Sequence, residues 1–371
     1  MPTHTSQLHI VNLSHLPWER KLFQRPQQLM SCFARMGDEV SYFSIVGLRR
    51  YMDMKAEERI LEPSPNLLAM NLPFMPGSKQ FAASRAVTKF LLRLKARAPL
   101  AKAPKGSRVL WLQNPAYVRL IEKIPHDVLV YDVMDPFAAF RTSDSGIAAE
   151  EDEVLSKADV VFTGGRSLHS LIESRHANAH CYPSGIDFAH FAKGAAPGPI
   201  PKDLEKIQKP VLGYFGAVDE RIDWKLIEQL CRERRHWSIV FLGPLVLIDK
   251  IPINEPNFHW LGPKSYDALP DYLRGFDVCL IPWLVNGLTK YMSPTKTPEY
   301  LAAGRPVVST PIPDVAADYP AEAFIASTPD EFISACTKAL MQGIGPAFKP
   351  PQSQTWTEIA ASMRERIVSL L

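Results

Sequence analysis

The sequence predicts two doubly wound α/β domains within one chain of 371 residues. Three observations carry this expectation. Thirteen short apolar runs, rich in β-branched and aromatic residues, recur along the chain, each followed by a helix-like segment. The runs lack polar alternation, which is the pattern of strands buried on both faces of a parallel sheet. A Pro/Gly-rich stretch, Gly194–Pro201, divides them into a set of seven and a set of six.

The first set is Leu8–Leu13, Val40–Val46, Leu67–Asn71, Val109–Gln113, Val128–Val133, Val160–Thr163 and Ala179–Tyr182. The second is Val211–Phe215, Ser238–Leu242, Phe258–Leu261, Val278–Pro282, Pro306–Thr310 and Ala323–Ala326. Alternation of such runs with amphipathic helices builds βαβ units. We place an N-terminal Rossmann-like domain at 1–192 and a C-terminal one at 193–352. A last helical segment, 353–371, follows a second Pro/Gly-rich stretch, Gly343–Pro351, and is expected to cross back to the first domain.

Composition narrows the function classes. Hydrophobic residues at 46% and charged residues at 22% describe a globular chain, not a disordered one. A net charge of +3 excludes a nucleic-acid binder with a wholly basic surface. The five cysteines are dispersed, odd in number and without CxxC spacing, so a reduced, cytoplasmic setting is expected. Met1–Gln7 has no signal-peptide pattern, and no uninterrupted apolar run reaches the roughly 18 residues of a membrane span.

Three of the second-set runs end in glycine: Gly216, Gly243 and Gly262. Ligands of open parallel sheets sit outside the carboxyl ends of strands, and glycine there admits a close backbone approach. One such glycine merely turns the chain; three in succession point to a nucleotide cleft. The segment Ser293–Val308 reads Ser-Pro-Thr-Lys-Thr-Pro-Glu-Tyr-Leu-Ala-Ala-Gly-Arg-Pro-Val-Val. It places a loop, a lysine (Lys296) and a helix start together, where a diphosphate is favoured. Glu299, one turn on, is suited to accept hydrogen bonds from ribose hydroxyls.

This segment resembles the donor-nucleotide loop and helix of GT-B glycosyltransferases. Other segments match the same superfamily in the same order. Cys181–Phe191 resembles the Pro-Asn-Gly-Val-Asp signature that closes its first domain. Asn257–Gly262, Leu269–Leu273 and Asp277–Pro282 resemble its Leu-Gly, Leu-Pro-x-Tyr and Asp-Val-x-Leu-x-Pro stretch. Val130–Asp135 and Ala158–Gly165 look like strand ends of bacterial exopolysaccharide glycosyltransferases. The resemblance implies two facing Rossmann-like domains and transfer from a nucleotide-diphosphate sugar, UDP-sugar favoured. The acceptor would be a glycan or a lipid-linked glycan. Two departures count against a retaining course. Tyr291 stands where retaining members carry a Glu eight residues before Glu299, and Arg221 is the one cation soon after Gly216.

The expected donor contacts are Gly216, Arg221, Gly243, Lys290, Ser293, Pro294, Thr295, Lys296 and Glu299. The sequence contains no Asp-x-Asp, so no metal and no cofactor is expected, and the leaving diphosphate falls to the cations. An inverting course needs a carboxylate base. Asp135, before Pro136, is preferred, and Asp132 is second. Both also read as helix caps. For the acceptor, the loop after the first run offers Trp18, Arg20, Gln24 and Arg25. Lys79–Lys105 holds eight Lys/Arg and no Asp or Glu. Its Val87, Phe90, Leu91, Leu94 and Ala98 share one helical stripe, which reads either as a face for the inner surface of a membrane or as an ordinary packed helix. Alternatives of other classes are a nucleotide-sugar 2-epimerase of the same architecture and a non-catalytic sugar-nucleotide-binding protein.

Overall fold

A computed structural model describes residues 7–19, 23–74, 82–137 and 146–371, the side chains of 82–85 excepted. Two compact units result. The first holds the described residues up to Pro183 together with Trp356–Leu371, and the second holds Ser184–Thr355.

The first unit carries eight strands: β1 (His9–Ser14), β2 (Glu39–Gly47), β3 (Ile60–Ser64), β4 (Leu67–Phe74), β5 (Arg108–Leu112), β6 (Val128–Val133), β7 (Val160–Thr163) and β8 (Ala179–Cys181). Their order is β3-β4-β2-β1-β5-β6-β7-β8, parallel throughout except β3, which runs antiparallel to β4. β3 is the strand that the apolar runs do not show. It lies at the sheet edge, is mostly exposed, and contains Pro63, which an edge tolerates.

The second unit carries β9 (Val211–Phe215), β10 (Ser238–Leu242), β11 (Phe258–Trp260), β12 (Val278–Ile281), β13 (Val307–Ser309) and β14 (Ala323–Ile325). They form one parallel sheet ordered β11-β10-β9-β12-β13-β14. The order reverses between β9 and β12, and in the first unit between β1 and β5. The carboxyl ends at such reversals are where open α/β sheets receive ligands.

The first unit's core gathers Leu8, Ile10, Phe33, Tyr42, Trp111 and Phe162 from its sheet and first helix with Trp356, Ile359, Met363 and Ile367 from the last helix. That last helix, Trp356–Val368, is also tied by charge. Arg364 donates from Nε and Nη2 to the two oxygens of Asp38, both at 2.8 Å, and Leu8 N–H donates to Asp38 Oδ1 at 2.9 Å. Asp38 is fully buried, and its carboxylate raises the Arg364 pKa above the ordinary value.

Helix Ala82–Lys102 packs on β1, β2 and β4, but not through the apolar stripe read from the sequence. Thr88, Leu92, Ala96 and Leu100 form the buried face, and Val87, Phe90, Leu91, Leu94 and Ala98 are exposed. The opposite stripe, with smaller side chains, is the one the sheet covers. Among the described residues no helix is long and apolar enough to cross a membrane.

Removing Arg364 leaves the buried Asp38 carboxylate short of two charged hydrogen bonds. Arg364→Ala is expected to destabilise the chain by about 2–3 kcal/mol, read as a lower urea midpoint.

Candidate functional site

The richest cluster of expected site residues lies at the reversal between β9 and β12. Helix Lys296–Ala302 is seated there by Tyr300, fully buried, whose hydroxyl accepts from Phe215 N–H at 3.1 Å, at the carboxyl end of β9. Gly304, at φ 68°, ends the helix, and a Cβ there would meet the Gly345 carbonyl oxygen at 2.4 Å.

Tyr300 thus fixes the helix that carries Lys296 and Glu299, and Lys296 reaches over Gly216. A Cβ on Gly216 would stand 2.3 Å from Lys296 Cε and 2.7 Å from its Nζ. Only a residue without a side chain leaves room for this lysine. The next corner is tighter: a Cβ on Gly243, at φ 138°, would fall 1.7 Å from the Gly216 carbonyl oxygen. Gly216 N–H donates to Leu242 O, and Gly243 N–H to Gly262 O, both at 2.9 Å. Trp260 Nε1–H closes the corner on Gly243 O at 2.9 Å.

Aromatic rings and a second cation surround Lys296. Its Nζ lies 5.2 Å from the Trp283 ring centre and 5.5 Å from that of Tyr214. Arg221 lies 5.0 Å from the Trp283 ring and is gripped by Asp219 through Nε–Oδ1 at 2.9 Å and Nη2–Oδ2 at 2.6 Å. Burial, reinforced by the positive charge of Arg221, pushes the Lys296 pKa down, and Glu299 and Asp219 oppose that shift. Burial pushes the Glu299 carboxyl up, against the pull of Lys296. Burial thus disfavours the charged form of both groups on this helix.

The other expected donor residues lie on the approach to this helix. Ser293 and Thr295 are half-buried, and Pro294 is buried. Lys290 is exposed beside Tyr291, its Nζ 5.2 Å from the ring. The turn before it is organised by Asn286, whose Oδ1 accepts from Leu288 and Thr289 N–H at 2.9 and 3.1 Å. Asp219, Tyr214 and Trp283 escaped the sequence reading. Trp283 had a signal: it follows the Asp277–Pro282 stretch directly, at the carboxyl end of β12.

In the first unit, Asp132 and Arg25 meet each other. Asp132 is fully buried at the end of β6, and Arg25 is 2% exposed at the start of helix Arg25–Arg35. Arg25 donates to Asp132 from Nε at 3.0 Å and Nη2 at 2.8 Å, and from Nη1 to Tyr182 O at 2.7 Å. The cation at this helix start, read as calling for an external anion, is answered from within the unit. Asp135 is half-buried beyond the same strand.

Trp18 is 4% exposed and packs edge-on against Tyr42 and Phe23, at 4.9 and 5.7 Å between ring centres. Its main chain is pinned by Asn71, whose Oδ1 accepts from Trp18 N–H at 3.0 Å. Gln24 is half-buried, and its N–H donates to Gln27 Oε1 at 3.1 Å. Arg20 lies outside the described residues.

Comparison with known proteins agrees with this architecture. Residues 209–342 match the family described as Glycosyl transferases group 1. A Bacillus subtilis (strain 168) protein, TuaH, whose name assigns it to teichuronic acid biosynthesis as a glycosyltransferase, is 25% identical over 260 residues. The match spans 65% of this chain and 65% of that relative's length. Sucrose-phosphate synthase from Thermosynechococcus elongatus superposes with a TM-score of 0.68 at 14% identity, over 98% of this chain and 95% of that one. A UDP-forming trehalose-phosphate synthase from Burkholderia xenovorans gives 0.61 at 14% identity, over 98% and 97%. An E. coli trehalose-6-phosphate structure bound with UDP-2-fluoro glucose gives 0.64 at 14% identity, over 98% and 96%.

Two variants probe the two clusters. Gly243→Ala forces a clash with the Gly216 main chain at a positive φ and is expected to cost about 2–5 kcal/mol. Arg25→Ala strands a buried carboxylate and is expected to cost about 3–5 kcal/mol in urea unfolding, most of it recovered when Asp132→Leu is added.

Proposed function

The chain has the GT-B fold and carries a Glycosyl transferases group 1 domain at residues 209–342, and on that premise we propose that it is a glycosyltransferase using a nucleotide-diphosphate sugar. One observation carries the reading: Lys296 and Glu299 sit three residues apart on a helix seated over Gly216, at the reversal point of the second sheet. The lysine faces the position for a diphosphate, and the carboxylate suits ribose hydroxyls. UDP is the favoured nucleotide, since one structural relative is bound with UDP-2-fluoro glucose and another is UDP-forming. The acceptor class is a glycan or a lipid-linked glycan, as the teichuronic acid name of the Bacillus relative supports. A lipid-linked acceptor places the enzyme at the inner face of a membrane.

The acceptor hydroxyl oxygen attacks the anomeric carbon, and the bond from that carbon to the diphosphate breaks. The nucleoside diphosphate leaves with the electron pair, neutralised by Lys296, with Arg221 and Lys290 as further cations. No Asp-x-Asp pair is present in the sequence to bring a metal to this task, so the reading is metal-independent. In an inverting course the hydroxyl proton passes to a carboxylate. We assign that role to Asp135, and to Asp132 the role of holding Arg25 in place.

A thermal-shift screen of UDP-, GDP-, TDP- and ADP-sugars tests the donor site, because a ligand of the native state raises its melting temperature. One nucleotide class is expected to give a shift, and Lys296→Ala to weaken binding about 10–100-fold, the worth of a charged hydrogen bond. An unchanged shift in Lys296→Ala contradicts the phosphate role. Conversion of the donor to a new nucleotide sugar, seen by NMR, favours the epimerase instead.

A further inference from the structure

Helix Ala82–Lys102 turns its buried face, Thr88, Leu92, Ala96 and Leu100, to the sheet. On the opposite side Val87 is 45% exposed, Phe90 54%, Leu91 36% and Leu94 52%. With about 100° of rotation per residue, Val87, Phe90, Leu91, Leu94 and Ala98 make one continuous ridge centred opposite the buried face. The same rotation sets Arg93 and Arg97 along one side of the ridge and Lys95 and Lys102 along the other. A soluble helix commonly buries its largest apolar side chains; this one buries Leu92 and Leu100 but leaves its one Phe, Phe90, outward together with Leu91 and Leu94. The 21 residues extend about 31 Å, so the ridge is long enough to lie flat on a surface.

We infer that this face docks on the surface of an anionic lipid bilayer, with Phe90, Leu91 and Leu94 entering the headgroup–acyl boundary and the flanking cations meeting lipid phosphates. Charge complementarity selects the partner. Lys79–Lys105 holds eight Lys/Arg and no Asp or Glu, while the remaining chain carries 34 Lys/Arg against 39 Asp/Glu. The basic excess is therefore confined to this segment. A second copy of the same face would set cations against cations, and a nucleic acid would leave the apolar ridge in water. An interfacial helix combines an apolar ridge with cationic margins, and each margin cation near an anionic surface adds to the attraction. The inference deepens the reading of a lipid-linked acceptor, and vesicle binding separates the two because it needs no sugar donor.

The full-length chain is mixed with vesicles of phosphatidylcholine alone or with phosphatidylglycerol added, and the bound fraction is read by co-sedimentation. Binding to the phosphatidylglycerol vesicles, weakened by salt, is expected. Lys95→Glu with Arg97→Glu is expected to lower affinity roughly thirtyfold or more. Phe90→Ser with Leu94→Ser is expected to lower it by at least about tenfold. All four residues are at the surface, so circular dichroism and melting temperature stay as in the parent chain, and donor-induced thermal shifts persist in both double variants. No binding, or equal binding to neutral vesicles, overturns the inference. So does a dimer in size-exclusion chromatography that Phe90→Ser with Leu94→Ser converts to monomer.

Discussion

Lys296 lies across the main chain of Gly216, and that contact governs the carboxyl end of the second sheet. The lysine reaches this position because Tyr300, one turn along its helix, is hydrogen-bonded to the last residue of β9. Gly216 must lack a side chain to receive it, and Gly243 must lack one to pack against Gly216. Trp283 then touches both cations, with Lys296 and Arg221 each near its ring. Asp219 orients Arg221, so that two cations, Lys296 and Arg221, and two buried carboxylates, Asp219 and Glu299, converge with little solvent to screen them.

The first unit solves a different problem. Its sheet also reverses order, and polar groups gather at the carboxyl end of β6, but here the charges are neutralised internally. Arg25 and Asp132 form a buried, multiply bonded pair, closed by the Tyr182 carbonyl. Such a pair adds little net stability beyond what well-packed apolar groups would supply, but it fixes geometry: the first helix is locked to the strand that precedes Asp135.

Much of this was legible beforehand. Parallel strands betray themselves through unbroken apolar runs, and all thirteen runs meet strands of the structure. β3 does not, since an exposed edge strand carries Glu62 and Pro63 and has no burial pattern to read. Lys296, Glu299 and the strand-end glycines were visible because they are contiguous or end recognisable runs. Long-range partners were not: Arg25 and Asp132 are separated by 107 positions, and nothing local in either marks the other. The helix after β4 was ambiguous for a related reason. The stripe Val87 to Ala98 satisfied a helical period, yet the opposite face, Thr88, Leu92, Ala96 and Leu100, is the one covered, and only packing against the sheet decides that.

Lys296 is held below its ordinary pKa, and under the proposed donor role a diphosphate would restore its charge. By linkage, a ligand that favours the charged lysine raises its pKa and draws a proton from solution wherever the free lysine is partly neutral, in the alkaline range below its ordinary value of 10.5. Calorimetric titration of the chain with UDP near pH 8–9, repeated in buffers of different ionisation enthalpy, measures that proton directly. The account predicts net proton uptake in the parent chain that disappears in Lys296→Met. UDP binding with no proton uptake, or with the same uptake in the variant, would contradict it.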